Sequence, residues 1–167
     1  MFRKATLLAA LVAVMIVGAA GVAWAATVTG GPGDNHIVGT DGDDDLFGAG
    51  GDDTIRSLEG EDYAVGGSGE DRIWGGLDDD APRSEDVGGG LYGGNGPDTI
   101  YGGEGNDYLE GNEGQDFMKG GDNDDELNGV DDSTNDLLIG GGGTGDVCIA
   151  DSLQEIDQTS CEDIQIQ

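Results

Sequence analysis

From Gly30 onward the chain repeats itself every nine residues, and this period constrains the fold more than any other feature of it. In steps of nine it reads GGPGDNHIV, GTDGDDDLF, GAGGDDTIR, SLEGEDYAV and GGSGEDRIW. After an interruption of 18 residues it resumes at Gly93 with GGNGPDTIY, GGEGNDYLE, GNEGQDFMK and GGDNDDELN. The interruption is two periods long, so the phase survives it. Units from Gly129 and Gly141 join the series once a two-residue and a one-residue insertion are allowed.

Each position has a physical reason. Glycine at positions 1, 2 and 4 admits positive φ and close approach of neighbouring backbones. Position 6 is acidic: Asp44, Asp53, Asp62, Asp71, Asp80, Asp98, Asp107, Asp116 and Asp125. The first unit has Asn35 there, still an oxygen ligand but an uncharged one. Position 8 is apolar: Ile37, Leu46, Ile55, Ala64, Ile73, Leu91, Ile100, Leu109, Met118 and Leu127. Positions 7 and 9 vary freely. The pattern predicts a six-residue turn and then a three-residue strand whose middle side chain points inward.

Successive turns then fall on opposite edges of a flattened right-handed coil. Turns 18 residues apart stack on one edge, about 4.8 Å from each other. Carboxylates from two stacked turns, with turn carbonyls, offer an oxygen cage to a hard cation. Calcium suits it better than magnesium because it accepts six to eight oxygens in flexible geometry. Zinc and copper would want His or Cys, and the repeats offer only His36, an outward residue read as incidental.

GGSGEDRIW and GGEGNDYLE match the consensus G-G-x-G-x-D-x-U-x without exception, and over roughly residues 30–149 the chain resembles the RTX (repeats-in-toxin, haemolysin-type) family. The resemblance implies an all-β, parallel β-roll with several Ca2+ ions between stacked turns. Two units depart from it. GGLDDDAPR has Asp78 where glycine belongs and Pro82 at the inward position, and SEDVGGGLY has Gly89 at the ligand position. Residues 77–92 are therefore expected to form an irregular coil or to loop out of the roll. Same-edge pairs with Asp in both turns would be Asp44–Asp62, Asp53–Asp71, Asp62–Asp80, Asp80–Asp98, Asp98–Asp116 and Asp107–Asp125, about six good sites. Asp136 and Asp146 extend the series if the insertions are absorbed as bulges.

Charge decides what the repeat can do. The chain has 36 acidic residues against 6 basic ones. That composition is the usual mark of disorder, and a solvated acidic tract is the plain alternative to a fold. An aliphatic residue at every ninth position is something disorder would not need. Without a cation the two readings converge, because stacked carboxylates repel, and cation binding then supplies the folding free energy. Nucleic acid and anionic lipid are disfavoured as partners by the same charge.

Arg3 and Lys4, the apolar run from Ala5 to about Val22, and Ala23-Trp24-Ala25 read as a signal peptide, residues 1–25, with an uncleaved membrane anchor as the rival. The mature chain is then expected in the extracellular space, with no apolar segment long enough to insert in a membrane. In an exported chain Cys148 and Cys161 read as a disulfide, two free thiols or a metal pair being the alternatives. Residues 150–167 leave the repeat and are expected to cap the last coil, with Ile164 and Ile166 alternating like a short strand.

No H-E-x-x-H and no G-x-S-x-G occurs, and only Ala26-Thr27-Val28-Thr29 lies between signal and repeats, so a non-catalytic module is expected. The alternative to a calcium-binding structural role is a calcium-dependent adhesin or matrix component using the outward aromatics Phe47, Tyr63, Trp74 and Tyr92. Stacking at strict period would put Phe47 beside Tyr63 and Val65 on one sheet and Trp74 beside Tyr92 on the other.

Overall fold

A computed structural model describes residues 25–82, 89–130, 136–152, 156–157 and 160–167. Among them there is no helix. The strands are β1 Thr27–Thr29, β2 His36–Val38, β3 Asp45–Gly50, β4 Thr54–Glu59, β5 Tyr63–Ser68, β6 Arg72–Leu77, β7 Gly90–Asn95, β8 Thr99–Glu104, β9 Tyr108–Glu113, β10 Phe117–Asp122, β11 Glu126–Gly129, β12 Leu137–Gly141, β13 Val147–Ala150 and β14 Asp163–Ile166. They alternate between two parallel sheets. The first has the order β1-β3-β5-β7-β9-β11-β13-β14 and the second β2-β4-β6-β8-β10-β12. The chain is therefore a parallel β-solenoid whose consecutive strands face each other across the core.

The regular strands are six residues long, twice the expected length. Each runs from position 7 of one unit through position 3 of the next, so both position 8 and position 1 face inward, and only positions 4–6 are left to turn. Position 1 is glycine for want of space rather than for φ. A Cβ on Gly48, Gly66 or Gly102 would run into Oδ2 of the aspartate five residues on. Positive φ belongs to positions 2 and 4, as at Gly67 (φ 118°) and Gly69 (φ 139°). It persists where other residues replace glycine there, as at Leu58 (φ 99°) and Asp78 (φ 75°).

The core is a single file of position-8 side chains from Val28 to Leu138, continued by Cys148, Ile156 and Cys161. The position-8 series Ile37, Leu46, Ile55, Ala64, Ile73, Leu91, Ile100, Leu109, Met118 and Leu127 is buried throughout. One aliphatic side chain per strand contributes about 1.5–3 kcal/mol each, set against the ordering of nine residues per turn at about 1–2 kcal/mol of backbone entropy apiece. A core this thin calls for help from the turns.

The interruption is resolved differently from expectation. Leu77 stays paired with Glu104, Asp80 is buried at position 6, and Leu91 fills the inward position of β7. Pro82 is exposed, so proline never enters the ladder. Gly89 (φ 138°) packs its Cα against the Ala81 carbonyl and closes the neck of an excursion. Residues 83–88 lie outside the described residues, and across them the register between stacked turns steps by 27 residues instead of 18. Odd and even units exchange sheets after it, which places β7 beside β5 through Val65↔Tyr92.

The other end of the chain forms an irregular further coil. Ile156 bridges Leu138, and β14 adds to β13 with Cys148↔Ile164 in register. Cys148 and Cys161 are disulfide-bonded, with Cα atoms 5.9 Å apart.

Candidate metal sites along the two edges

Because turns occupy positions 4–6, the position-6 residues line up in two columns. On the edge leading from the first sheet to the second stand Asn35, Asp53, Asp71, Asp98, Asp116 and Asp136. On the opposite edge stand Asp44, Asp62, Asp80, Asp107, Asp125 and Asp146. Both insertions before Asp136 and Asp146 are absorbed, and the last unit starts at Gly140 rather than Gly141, with Gly140 packed against Asp146 Oδ2. Asp80 stacks with Asp107 and Asp71 with Asp98, so the expected Asp80–Asp98 pair does not form, because the nine-residue excursion shifts the later units by one edge.

One contact builds both columns. The backbone N–H at position 6 donates to Oδ1 of the aspartate in the next turn, as from Asp53 to Asp71 (2.7 Å) and from Asp98 to Asp116 (2.8 Å). Ala26 opens one column by donating to Asp44 (2.6 Å), and Asp146 extends it by donating to Glu162 Oε2 (3.0 Å). Glu162 lies outside the repeat, so periodicity could not single it out. Position 5 forms a further column on each edge, which carries no mark in the repeat. These bonds run the other way: Glu70 N–H donates to Asp52 Oδ1 (3.0 Å) and, on the opposite edge, Asn106 N–H to Asp79 Oδ1 (2.8 Å). These residues are exposed, and a position that varies among Asp, Glu, Asn, Pro and Gln carries no signal in one sequence.

The position-6 aspartates are buried, Asp53, Asp62, Asp71 and Asp146 completely. Oδ2 of Asp53, Asp71, Asp80, Asp98, Asp107, Asp125 and Asp146 is enclosed with no hydrogen-bond donor. Burial is the main reason their acidities fall, and the N–H donated to Oδ1 offsets it only in part. Asp80, Asp98 and Asp125 are pushed up to about 8, and Asp53 and Asp107 to about 6. Asp71 and Asp146 are raised for the same reason, and neighbouring carboxylates such as Asp107 beside Asp80 add to it. A carboxylate stripped of water with one oxygen unpaired is costly unless a proton or a cation meets it.

The backbone supplies further oxygens. Carbonyls of Gly51, Gly69 and Gly96 point at the Cα of Gly69, Gly96 and Gly114 in the next turn, where a Cβ would collide. Among the described residues no three acidic, histidine or cysteine side chains converge on one point. A cation on these edges must therefore draw on carbonyls as well as carboxylates. His36 is exposed and Cys148 and Cys161 are bonded to each other, so the available donors are hard oxygens. That donor set, with its orphaned Oδ2 atoms, fits Ca2+ and not zinc or copper.

Parallel coils with stacked Gly/Asp turns on both edges define a calcium-binding β-roll. A family model for the RTX calcium-binding nonapeptide repeat, built of four copies, matches residues 26–55, 56–81 and 92–127, more than half of the chain. The chain belongs to the RTX calcium-binding nonapeptide-repeat family. No curated protein and no solved structure matches it.

Proposed function

We propose that this chain is an exported, non-catalytic module that folds when Ca2+ ions enter between its stacked turns. The observation that carries the reading is the set of buried Oδ2 atoms without donors, repeated turn after turn. Asp44, Asp53, Asp62, Asp71, Asp80, Asp98, Asp107, Asp116, Asp125, Asp136 and Asp146, with Asn35 at one end, would hold the ions together with the turn carbonyls. Bound calcium supplies positive charge where the fold has removed water from negative charge. The chain's own part is to preset the oxygens. Oδ1 is fixed by the N–H of the neighbouring turn, position-1 glycine leaves room for Oδ2, and glycine at position 4 lets the carbonyls approach.

Export gives the switch its logic. The concentration of free calcium is high outside cells and low inside, so affinities of about 10⁻⁴–10⁻³ M keep the chain open until it leaves. Cleavage after Ala25 also fits the end of the column. Ala26 N lies 2.6 Å from Asp44 Oδ1, so the new ammonium would sit on a carboxylate. Sequencing the N-terminus of the secreted product is the check, with Ala26 as the expected first residue.

The test of the main reading is far-UV circular dichroism of the purified protein during titration with calcium and, separately, magnesium. A cooperative rise in β-signal near millimolar calcium, with magnesium ineffective, is expected. A spectrum already folded in chelator and indifferent to calcium would remove the aspartates from the role given them here.

A further inference from the structure

The two outer faces of the solenoid differ in a way that composition alone conceals. All three arginine and lysine residues among the described residues, Arg56, Arg72 and Lys119, stand on the second sheet. Positions 7 and 9 of that sheet carry no acidic residue on any of its strands. In a chain with a formal charge of −30 this face is the exception. One row across it reads Val38, Arg56, Trp74, Tyr101, Lys119, Ile139 in continuous register. The Trp74 and Tyr101 rings stack with centroids 5.9 Å apart, and the Arg56 guanidinium lies over Trp74 at 5.2 Å. Two aromatics are thus bracketed by two cations three strand steps apart, about 14 Å.

The first sheet presents the complement. Its outward positions carry acids and no base. Asp45 on β3 and Glu110 on β9 are also three strand steps apart. Between them Tyr63 and Tyr92 meet edge to face at 5.5 Å, and the Tyr92 and Tyr108 rings lie over Gly90. Sign, strand count and the aromatic centre match from one face to the other, with Asp45 and Glu110 in rows two residues apart along the strands.

We propose that these faces recognise each other, so that the second sheet of one copy stacks on the first sheet of another. Trp74 and Tyr101 meet the tyrosine cluster, and Arg56 and Lys119 meet Asp45 and Glu110. The partner is a second copy of this chain. Each copy carries one face of each kind on opposite sides, so the contact does not close on itself and builds open stacks. The face spans six strands, about 24 Å, which is small for a stable interface, so assembly depends on concentration. Stacking rests on the calcium-dependent fold proposed above, and circular dichroism of the same samples reports that fold separately.

The experiment uses protein purified from cells expressing the full chain, in millimolar calcium, with sedimentation velocity from low to high micromolar concentration. The weight-average mass should rise with concentration for the wild type. Arg56→Glu with Lys119→Glu, and separately Asp45→Lys with Glu110→Lys, should each shift the assembly midpoint upward by about tenfold or more. Mixing the two variants should restore it, since each then offers the other an opposite charge. Folded wild type that stays monomeric, or variants that do not rescue each other, overturns the proposal. So does a monomer retained on an immobilised polyuronate, which would give the basic face to an acidic glycan. A missing β-signal in calcium would sink the folding reading, and the stacking with it.

Discussion

The backbone N–H of Asp80 donates to Oδ1 of Asp107, 27 residues on, whereas Asp62 donates to Asp80 after only 18. The difference is one period. The column takes up again nine residues late, and deleting residues 81–89 would join Asp80 directly to Gly90 at strict period. We expect the deletion to leave the calcium-dependent β-signal unchanged and to raise stability by a few tenths of a kcal/mol at most, the change in closure entropy for a connection shortened by nine residues. Chemical denaturation in calcium is the measurement. A large loss would mean that the excursion packs on the roll.

The same shift separates what could be read from sequence from what could not. Inward Ile55, Ile73 and Ile100 were legible because position 8 carries a strict apolar signal, and the acidic columns because position 6 carries charge. Pro82 and Leu91 were not. Both stand at position 8 when counting continues unbroken, and nothing in the letters says which one the coil keeps. Leu91→Ala should cost about 2–4 kcal/mol as a buried large-to-small change, while Pro82→Ala, being exposed, should stay within about 0.5 kcal/mol. Trp74 was assigned Tyr92 as neighbour for the same reason. Its neighbour is Tyr101, and Tyr92 packs with Tyr63 on the other sheet. Strand length was missed because glycine at position 1 reads as turn chemistry, when it makes room for a carboxylate.

That room can be tested directly. A methyl group on Gly66 would lie 2.5 Å from Asp71 Oδ2 and 2.7 Å from the Gly93 carbonyl, whereas at Gly33 it would meet nothing within 4 Å. Gly66→Ala should therefore lower stability by about 1–3 kcal/mol through overpacking and weaken calcium binding with it. Gly33→Ala should be neutral. Ser57 already occupies position 1 in one unit, buried and with its hydroxyl unpaired, so that coil is expected to be the weaker one. Isothermal calorimetry with calcium compares the variants.

The disulfide joins Cys148, the first inward position of β13, to Cys161 just ahead of β14, across a sequence separation of 13 residues. Closing a loop of that size contributes about 3 kcal/mol in the chain-entropy model. Reduction, or the double change Cys148→Ala with Cys161→Ala, should lower the denaturation midpoint by that order and expose β14 to hydrogen exchange first. Strands near Ile55 and Ile73 should keep their protection in calcium, because coils of a solenoid contact only their neighbours.

Protons and calcium compete for the same carboxylates, and the sign of that competition follows from burial. Asp80, Asp98 and Asp125 are held at about 8 in the fold, and Asp53 and Asp107 at about 6, all above the ordinary aspartate value near 3.8. The metal-free fold thus binds more protons than the open chain. Its stability is present below about pH 4 and drains away as pH rises through 6 and then 8. Calcium needs the ionised form, so its apparent affinity should fall as pH drops through the same interval. In chelator, the β-signal at pH 5 should exceed that at pH 8.5. In millimolar calcium the order should reverse or vanish. Circular dichroism over that range, with and without calcium, makes the comparison. A metal-free chain that gains structure on going alkaline would show that the buried aspartates do not govern folding.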